Sequence, residues 1–102
     1  MDRFRPDWKD SNPDVRRKAV SCLSDQKLLA RIAKTDRDPV VRGMAVQRLE
    51  HQGRLAAIAL TDEDPLVRGT AVERLVDETV LVKIAKTDED APTRTAAVLR
   101  LH

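Results

Sequence analysis

The chain has 102 residues, 41% of them hydrophobic, and its only aromatics are Phe4 and Trp8. Its 19 Lys and Arg nearly balance 17 Asp and Glu, but unevenly: residues 1–51 hold 12 against 8 and residues 52–102 hold 7 against 9. This length suits one domain with one core, and small aliphatics with abundant charge favour packed short helices over a sandwich or barrel. Three Gly and five Pro are too few for a disordered tail. Nothing approaches the ~20 apolar residues of a membrane span, and Met1–Pro6 lacks the apolar run of a signal peptide. Cys22 stands alone, which excludes an intrachain disulfide and fits a cytoplasmic home.

In chain order, residues 1–12 read as an N-terminal cap segment, and everything after them repeats every 26 residues without insertion. Val15, Val41 and Val67 begin the register, which Thr93 continues. Arg16, Arg42, Arg68 and Arg94 follow, then Ala19, Ala45, Ala71 and Ala97, then Val20, Val46, Val72 and Val98. Leu23, Leu49, Leu75 and Leu101 close a first, longer helix. That helix is expected to start at Asn12-Pro13, Asp38-Pro39 and Asp64-Pro65. There the Asn or Asp side chain accepts a backbone N–H, and Pro at the first helical position gives up nothing. Asp90-Ala91-Pro92 moves the Pro by one, which predicts a distorted start. A second, shorter helix starts near Asp25, more weakly at Gln52-Gly53, and near Asp77, and ends near Thr35, Thr61 and Thr87. It carries Leu29, Leu55 and Leu81, Ile32, Ile58 and Ile84, and Ala33, Ala59 and Ala85 on one face.

This spacing fits helices and not strands, so the fold class is all-α. Repeat units fall near 13–35, 39–61 and 65–87, with a final helix at 91–101, all within one domain, 1–102. One unit has about five large apolar side chains, each worth ~1.5–3 kcal/mol when buried. Ordering its residues costs ~1.5 kcal/mol each, so a unit does not fold alone and adjoining units must share a core.

The pattern Asp-x-Asp-Pro-x-Val-Arg-x-x-Ala-Val-x-x-Leu, at Asp36–Leu49 and Asp62–Leu75, resembles the short HEAT-like repeats of bacterial and archaeal proteins. Asp10–Leu23 matches with Asn at the cap, and Asp88–Leu101 with Thr93 for Val. The resemblance covers residues 10–102, and the pattern is also similar to variant leucine-rich repeats. It implies a right-handed α-solenoid of two-helix repeats, in which the Val-Arg helix is the second of each pair and lies on the concave side. On that reading three pairs follow a leading helix at 13–23. Residues 3–9 stand where its partner helix belongs; Pro6 disfavours a helix there, and Phe4 and Trp8 then cover the open end of the core.

Functional candidates divide into structural columns and free positions. With Val41 at zero on a wheel of about 100° per residue, Ala45, Leu49, Arg42 and Val46 fall at about 40°, 80°, 100° and 140°. Arg42 is therefore inside the apolar arc and needs a partner. Six residues earlier stands Asp36, and Asp10, Asp62 and Asp88 hold the same place before Arg16, Arg68 and Arg94. The HEAT resemblance implies that these eight residues form an Asp–Arg ladder; the alternative is an anion-binding stripe. Asp62-Glu63-Asp64 and Asp88-Glu89-Asp90 lack the spacing and glycine of a calcium loop. His51 reads as a solvated loop residue, His102 is the only other histidine, and the His-Glu pairs of HEAT-like metalloenzymes are missing. Cys22 falls at the edge of the apolar arc, beside Val15, and reads as a buried or half-buried thiol. No cofactor and no catalytic constellation is expected.

The positions at 180–300° on the wheel are left free by the repeat. They are Asp14, Arg17, Lys18 and Ser21, then Val40, Gly43, Met44 and Gln47, then Leu66, Gly69, Thr70 and Glu73, then Pro92, Thr95, Ala96 and Leu99. Gly43 and Gly69 each cost ~1 kcal/mol against Ala in mid-helix, which close approach by another backbone, a partner's or a neighbouring helix's, would explain. Exposed Val40, Met44, Leu66 and Leu99 suit a peptide or dimer groove. The expected function is a non-catalytic protein-binding scaffold that uses the concave helix ridge, with a protein or peptide as partner; the open solenoid ends offer a second place for contact, between copies of the chain. Nucleic-acid binding is the alternative: HEAT-like DNA glycosylases use basic faces with aromatics, echoed by Arg3, Arg5, Lys9, Arg16, Arg17 and Lys18 with Phe4 and Trp8. The acidic second half opposes it. A further alternative is an accessory subunit of an enzyme complex.

Overall fold

The computed structural model describes residues 6–101. Arg3, Phe4, Arg5 and His102 lie outside the described residues. A 3₁₀ turn at Asp7–Lys9 is followed by α1 (Pro13–Cys22), α2 (Gln26–Thr35), α3 (Pro39–Arg48), α4 (Gln52–Thr61), α5 (Pro65–Val72), α6 (Glu78–Thr87) and α7 (Ala91–Arg100). Among the described residues there is no strand. The expected contrast of long and short helices is absent: six helices have ten residues and α5 has eight. The leucines expected to close the odd helices come just after them. Leu23 and Leu49 are extended C-cap residues whose N–H still donates to Val20 and Val46.

Local chemistry explains the boundaries. Asn12, Asp38, Asp64 and Asp90 each accept a backbone N–H two or three residues on, at 2.8–3.2 Å. The α7 start is not distorted: Pro92 occupies the second helical position, and Asp90 caps as its counterparts do. Thr93 is buried where the earlier units have Val, and its hydroxyl donates to Asp90 Oδ2 at 2.6 Å. The even helices end at Asp36, Asp62 and Asp88, which turn extended while donating their own N–H to Ile32, Ile58 and Ile84.

Each even helix packs on the odd helix that follows it, α2 on α3, α4 on α5 and α6 on α7. The odd helices also pack one on the next, from α1 to α7, whereas even helices touch one another less. The molecule measures 49 × 22 × 16 Å. Between the two rows runs one core: Leu29, Val41, Leu49, Leu55, Ala59, Val72 and Leu75 are fully buried, and Ile58 is nearly so. At ~1.5–3 kcal/mol for each large aliphatic, this shared interior carries the fold. The segment before α1 forms the 3₁₀ turn, with Trp8 half-buried against the core and Lys9 Nζ 5.1 Å from its ring centre.

Candidate functional site

The arginine column defines one face. Arg16 donates through Nε and Nη2 to both carboxylate oxygens of Asp36, at 2.9 and 3.2 Å. Arg42 does so to Asp62 and Arg68 to Asp88, at 2.9–3.2 Å overall. The third donor of each fork, Nη1, goes to the main-chain oxygen of Asp10, Asp36 or Asp62. The expected pairing is thus corrected. The aspartate six residues before each arginine supplies its carbonyl, while the carboxylate comes from twenty residues ahead, in the next unit. Sequence spacing shows only the nearer aspartate; the nearer carboxylate is already turned back to accept the N–H two residues on.

Concavities of about 350–450 Å³ lie over these rungs, but the rung side chains that line them are already bonded to one another. Three arginines are only 6% exposed, and no buried side-chain nitrogen or oxygen among the described residues lacks a partner. Burial pushes the Asp88 carboxyl up, but the hydrogen bond from Arg68, the Asp90 N–H and the nearby arginine charges outweigh it and hold it below the usual carboxylate range. Burial likewise opposes the charge of Arg42, yet bonding to Asp62 and the surrounding carboxylates holds its guanidinium above the ordinary value. The ladder has three complete rungs. Arg94 bonds the Asp88 carbonyl at 2.7 Å, and Asp10 accepts the Asn12 N–H at 2.8 Å; neither has a charged ladder partner among the described residues.

Two further tying columns were not anticipated. Arg48 donates to the Leu23 carbonyl, Arg74 to the Val46 and Leu49 carbonyls, and Arg100 to the Leu75 carbonyl, each reaching back one unit to a helix end. Cys22 holds this column's first position. It is exposed, not buried or half-buried as expected, because the last turn of α1 points it away from the core. Gln26 donates to the Arg48 carbonyl and accepts the Glu50 N–H; Gln52 does the same with Arg74 and Val76. The signal was the 26-residue recurrence of polar residues beside helix ends. His51 lies outside the helices and exposed, as expected, and is in addition the N-cap of α4, where Nδ1 accepts the Arg54 N–H at 3.3 Å. It occupies the register place of Asp25 and Asp77. Gly53 leaves room for its ring, since a Cβ there would lie 2.8 Å from it.

The opposite character belongs to the outer face of α3, α5 and α7. A shallow concavity of about 220 Å³ is lined by Pro39, Val40, Gly43, Met44 and Gln47 of α3 and by Leu66, Val67 and Thr70 of α5. A second, of about 350 Å³, continues past Leu66 and Thr70 to Gly69, Glu73, Pro92, Thr93 and Ala96. Leu66 is 79% exposed, Leu99 69% and Val40 50%, whereas Met44, expected to be exposed, is half-buried against the core. A Cβ on Gly43 or Gly69 would meet nothing within 4 Å, so no neighbouring helix of this chain explains either glycine. Thr70 spends its hydroxyl on the Leu66 carbonyl. On α1 the same face is polar: Arg17 pairs with Asp14, and Lys18 is exposed.

Fold and surface together define an all-α protein built on a 26-residue helical repeat, with one saturated polar face and one open apolar face. Compared with protein-family models, curated proteins and solved structures, the chain matches none. Among the described residues no cluster of His, Cys, Asp and Glu could hold a metal ion, and no helix is long and apolar enough to cross a membrane.

Proposed function

We propose that this chain is a HEAT-like right-handed α-solenoid acting as a non-catalytic protein-binding scaffold, with the outer face of α3, α5 and α7 as its docking groove. One observation carries the reading: two adjoining concavities share Leu66, and each has a bare glycine, Gly43 or Gly69, in its lining. A missing Cβ costs helix stability and leaves a surface into which another chain can press its side chains or backbone. Helical repeats offer such extended surfaces, and apolar anchors in shallow pockets dominate binding at them. We assign the protein to the cytoplasm, where the exposed Cys22 stays a thiol.

Nucleic-acid binding has less support. Arg16 is consumed by Asp36, which removes one of the cations that reading needs.

Peptides selected on the wild-type protein from a random display library provide the test. Met44→Asp with Leu66→Asp is expected to weaken their binding at least about tenfold, or 1.4 kcal/mol, with helicity unchanged by circular dichroism. Undiminished binding to the double variant discards the groove.

A further inference from the structure

The outer face of the even helices carries charge that the fold does not spend. With Leu29 at zero on a wheel of about 100° per residue, Lys27, Arg31 and Lys34 fall at about 160°, 200° and 140°, opposite the buried Leu29, Ile32 and Ala33. All three are exposed, as are Lys83 and Lys86, which hold the places of Arg31 and Lys34 on α6. None of the five pairs with a carboxylate among the described residues, whereas Arg16, Arg42 and Arg68 each hold one. The only carboxylate inside α2, α4 and α6 is that of Glu78.

Between the two cationic groups lies α4, which touches both α2 and α6. Its matching places are Gly53, Ala57 and Leu60, all exposed and none charged. Its one cation, Arg54, is turned aside, half-buried with Nη1 donating to the Gln26 carbonyl at 3.1 Å. The face is thus a low apolar floor, one helix wide, between two walls of long cationic side chains. It is also short, because ten residues of helix span about 15 Å. Exposed carboxylates stand at both ends of it, Glu50 and Glu78 at one and Glu63 and Glu89 at the other.

We propose that this face receives a short amphipathic helix of a partner protein, acidic on both flanks of an apolar stripe. The stripe seats on Ala57 and Leu60. The carboxylates on one flank face Lys27, Arg31 and Lys34, and those on the other face Lys83 and Lys86. Charge complementarity sets the sign of the partner, and the floor between the walls sets its shape, as flanking charges do beside the seam of two packed helices. A nucleic-acid duplex or an anionic membrane extends past the face at both ends, onto Glu50, Glu63, Glu78 and Glu89, and is repelled there. A helix of about ten residues stops where those carboxylates begin. Exposed ion pairs are individually weak and screened, so the binding is modest and falls as salt rises. The groove on α3, α5 and α7 belongs to the other row of helices and plays no part, so this contact and the docking reading stand or fall separately.

The probe is a fluorescent synthetic peptide of about fourteen residues, with Leu and Ala along one stripe and Glu on both flanks, held helical by a hydrocarbon crosslink on its remaining face. Titrated with the full chain and followed by anisotropy, it is expected to bind with Kd below ~1 mM at ~50 mM salt and at least about tenfold more weakly at ~300 mM. A crosslinked peptide of the same composition with the stripe scrambled should bind at least about tenfold more weakly. Arg31→Glu with Lys83→Glu should lower the affinity by at least about tenfold. Ala57→Arg should lower it as much although it adds a cation, because the new side chain fills the floor. Met44→Asp with Leu66→Asp, on the opposite row, should bind the probe as the wild type does. Circular dichroism establishes that each variant is folded; should one of the two face variants lose helicity, the other carries the test. The proposal is overturned if the helical probe does not bind by ~1 mM, or if the scrambled peptide, duplex DNA or vesicles of phosphatidylcholine and phosphatidylserine bind as tightly as the probe does. It is also overturned if a folded face variant keeps the wild-type affinity, or if the groove variant loses it.

Discussion

Arg42 and Gly43 follow one another on α3, as Arg68 and Gly69 do on α5, about 100° apart around the helix. The arginines lie 6% exposed with every fork nitrogen engaged, while a side chain added at either glycine would enter open space. A strongly charged, regularly recurring column is therefore not the place to seek a ligand here: its valences are spent joining one unit to the next. The unsatisfied surface lies where the sequence gives up a side chain. Chemical prominence and functional availability part company because a buried guanidinium is tolerable only when fully bonded.

The most severe way to break this contrast is on the ladder. Arg68→Ala strands Asp88 and should cost about 3–5 kcal/mol, lowering the midpoint of thermal unfolding by on the order of 10–20 °C. Replacing both partners by apolar residues, Arg68→Met with Asp88→Leu, should recover most of that loss. A cost below about 1 kcal/mol for the single change would place the rung among ordinary surface ion pairs and dissolve the distinction.

The glycines give a smaller effect of opposite sign. Gly43→Ala and Gly69→Ala should each stabilise the protein by about 1 kcal/mol in denaturant unfolding, since the new methyl group clashes with nothing. The same changes should weaken selected peptides on the groove. Gained stability with unchanged affinity would leave the glycines without a part in docking. The smallest change concerns the α4 cap. Asp25 and Asp77 each accept two backbone N–H groups where His51 accepts one at 3.3 Å. His51→Asp should therefore gain about 0.5–1 kcal/mol, read by the same unfolding curve. No gain would mean that the imidazole already caps as well as a carboxylate.

Much of this was legible from the chain alone. The 26-residue recurrence, the Asn/Asp-Pro starts and the apolar spacing named seven helices and the core residues Val41, Leu49, Leu55 and Ile58, because capping and amphipathic burial depend on neighbours within a turn or two. The free ridge was legible too, at Val40, Leu66 and Leu99. Met44 was less so, because its flexible side chain folds back onto the core, and Cys22 was misplaced because it lies at an arc's edge, where a small rotation decides exposure. His51 was hidden by its identity, although its register with Asp25 and Asp77 marked the cap.

What the sequence by itself determined is therefore the period, the helices and the face most residues present, since all three follow from local geometry and side-chain polarity. Only the tertiary structure decided that Arg16, Arg42 and Arg68 reach forward twenty residues to the next unit's carboxylate instead of back six to their own. Only it decided that Arg48, Gln26 and their counterparts tie unit to unit. Those choices depend on how far apart neighbouring helices pack, a distance set by the side chains between them and written in no single segment of the chain.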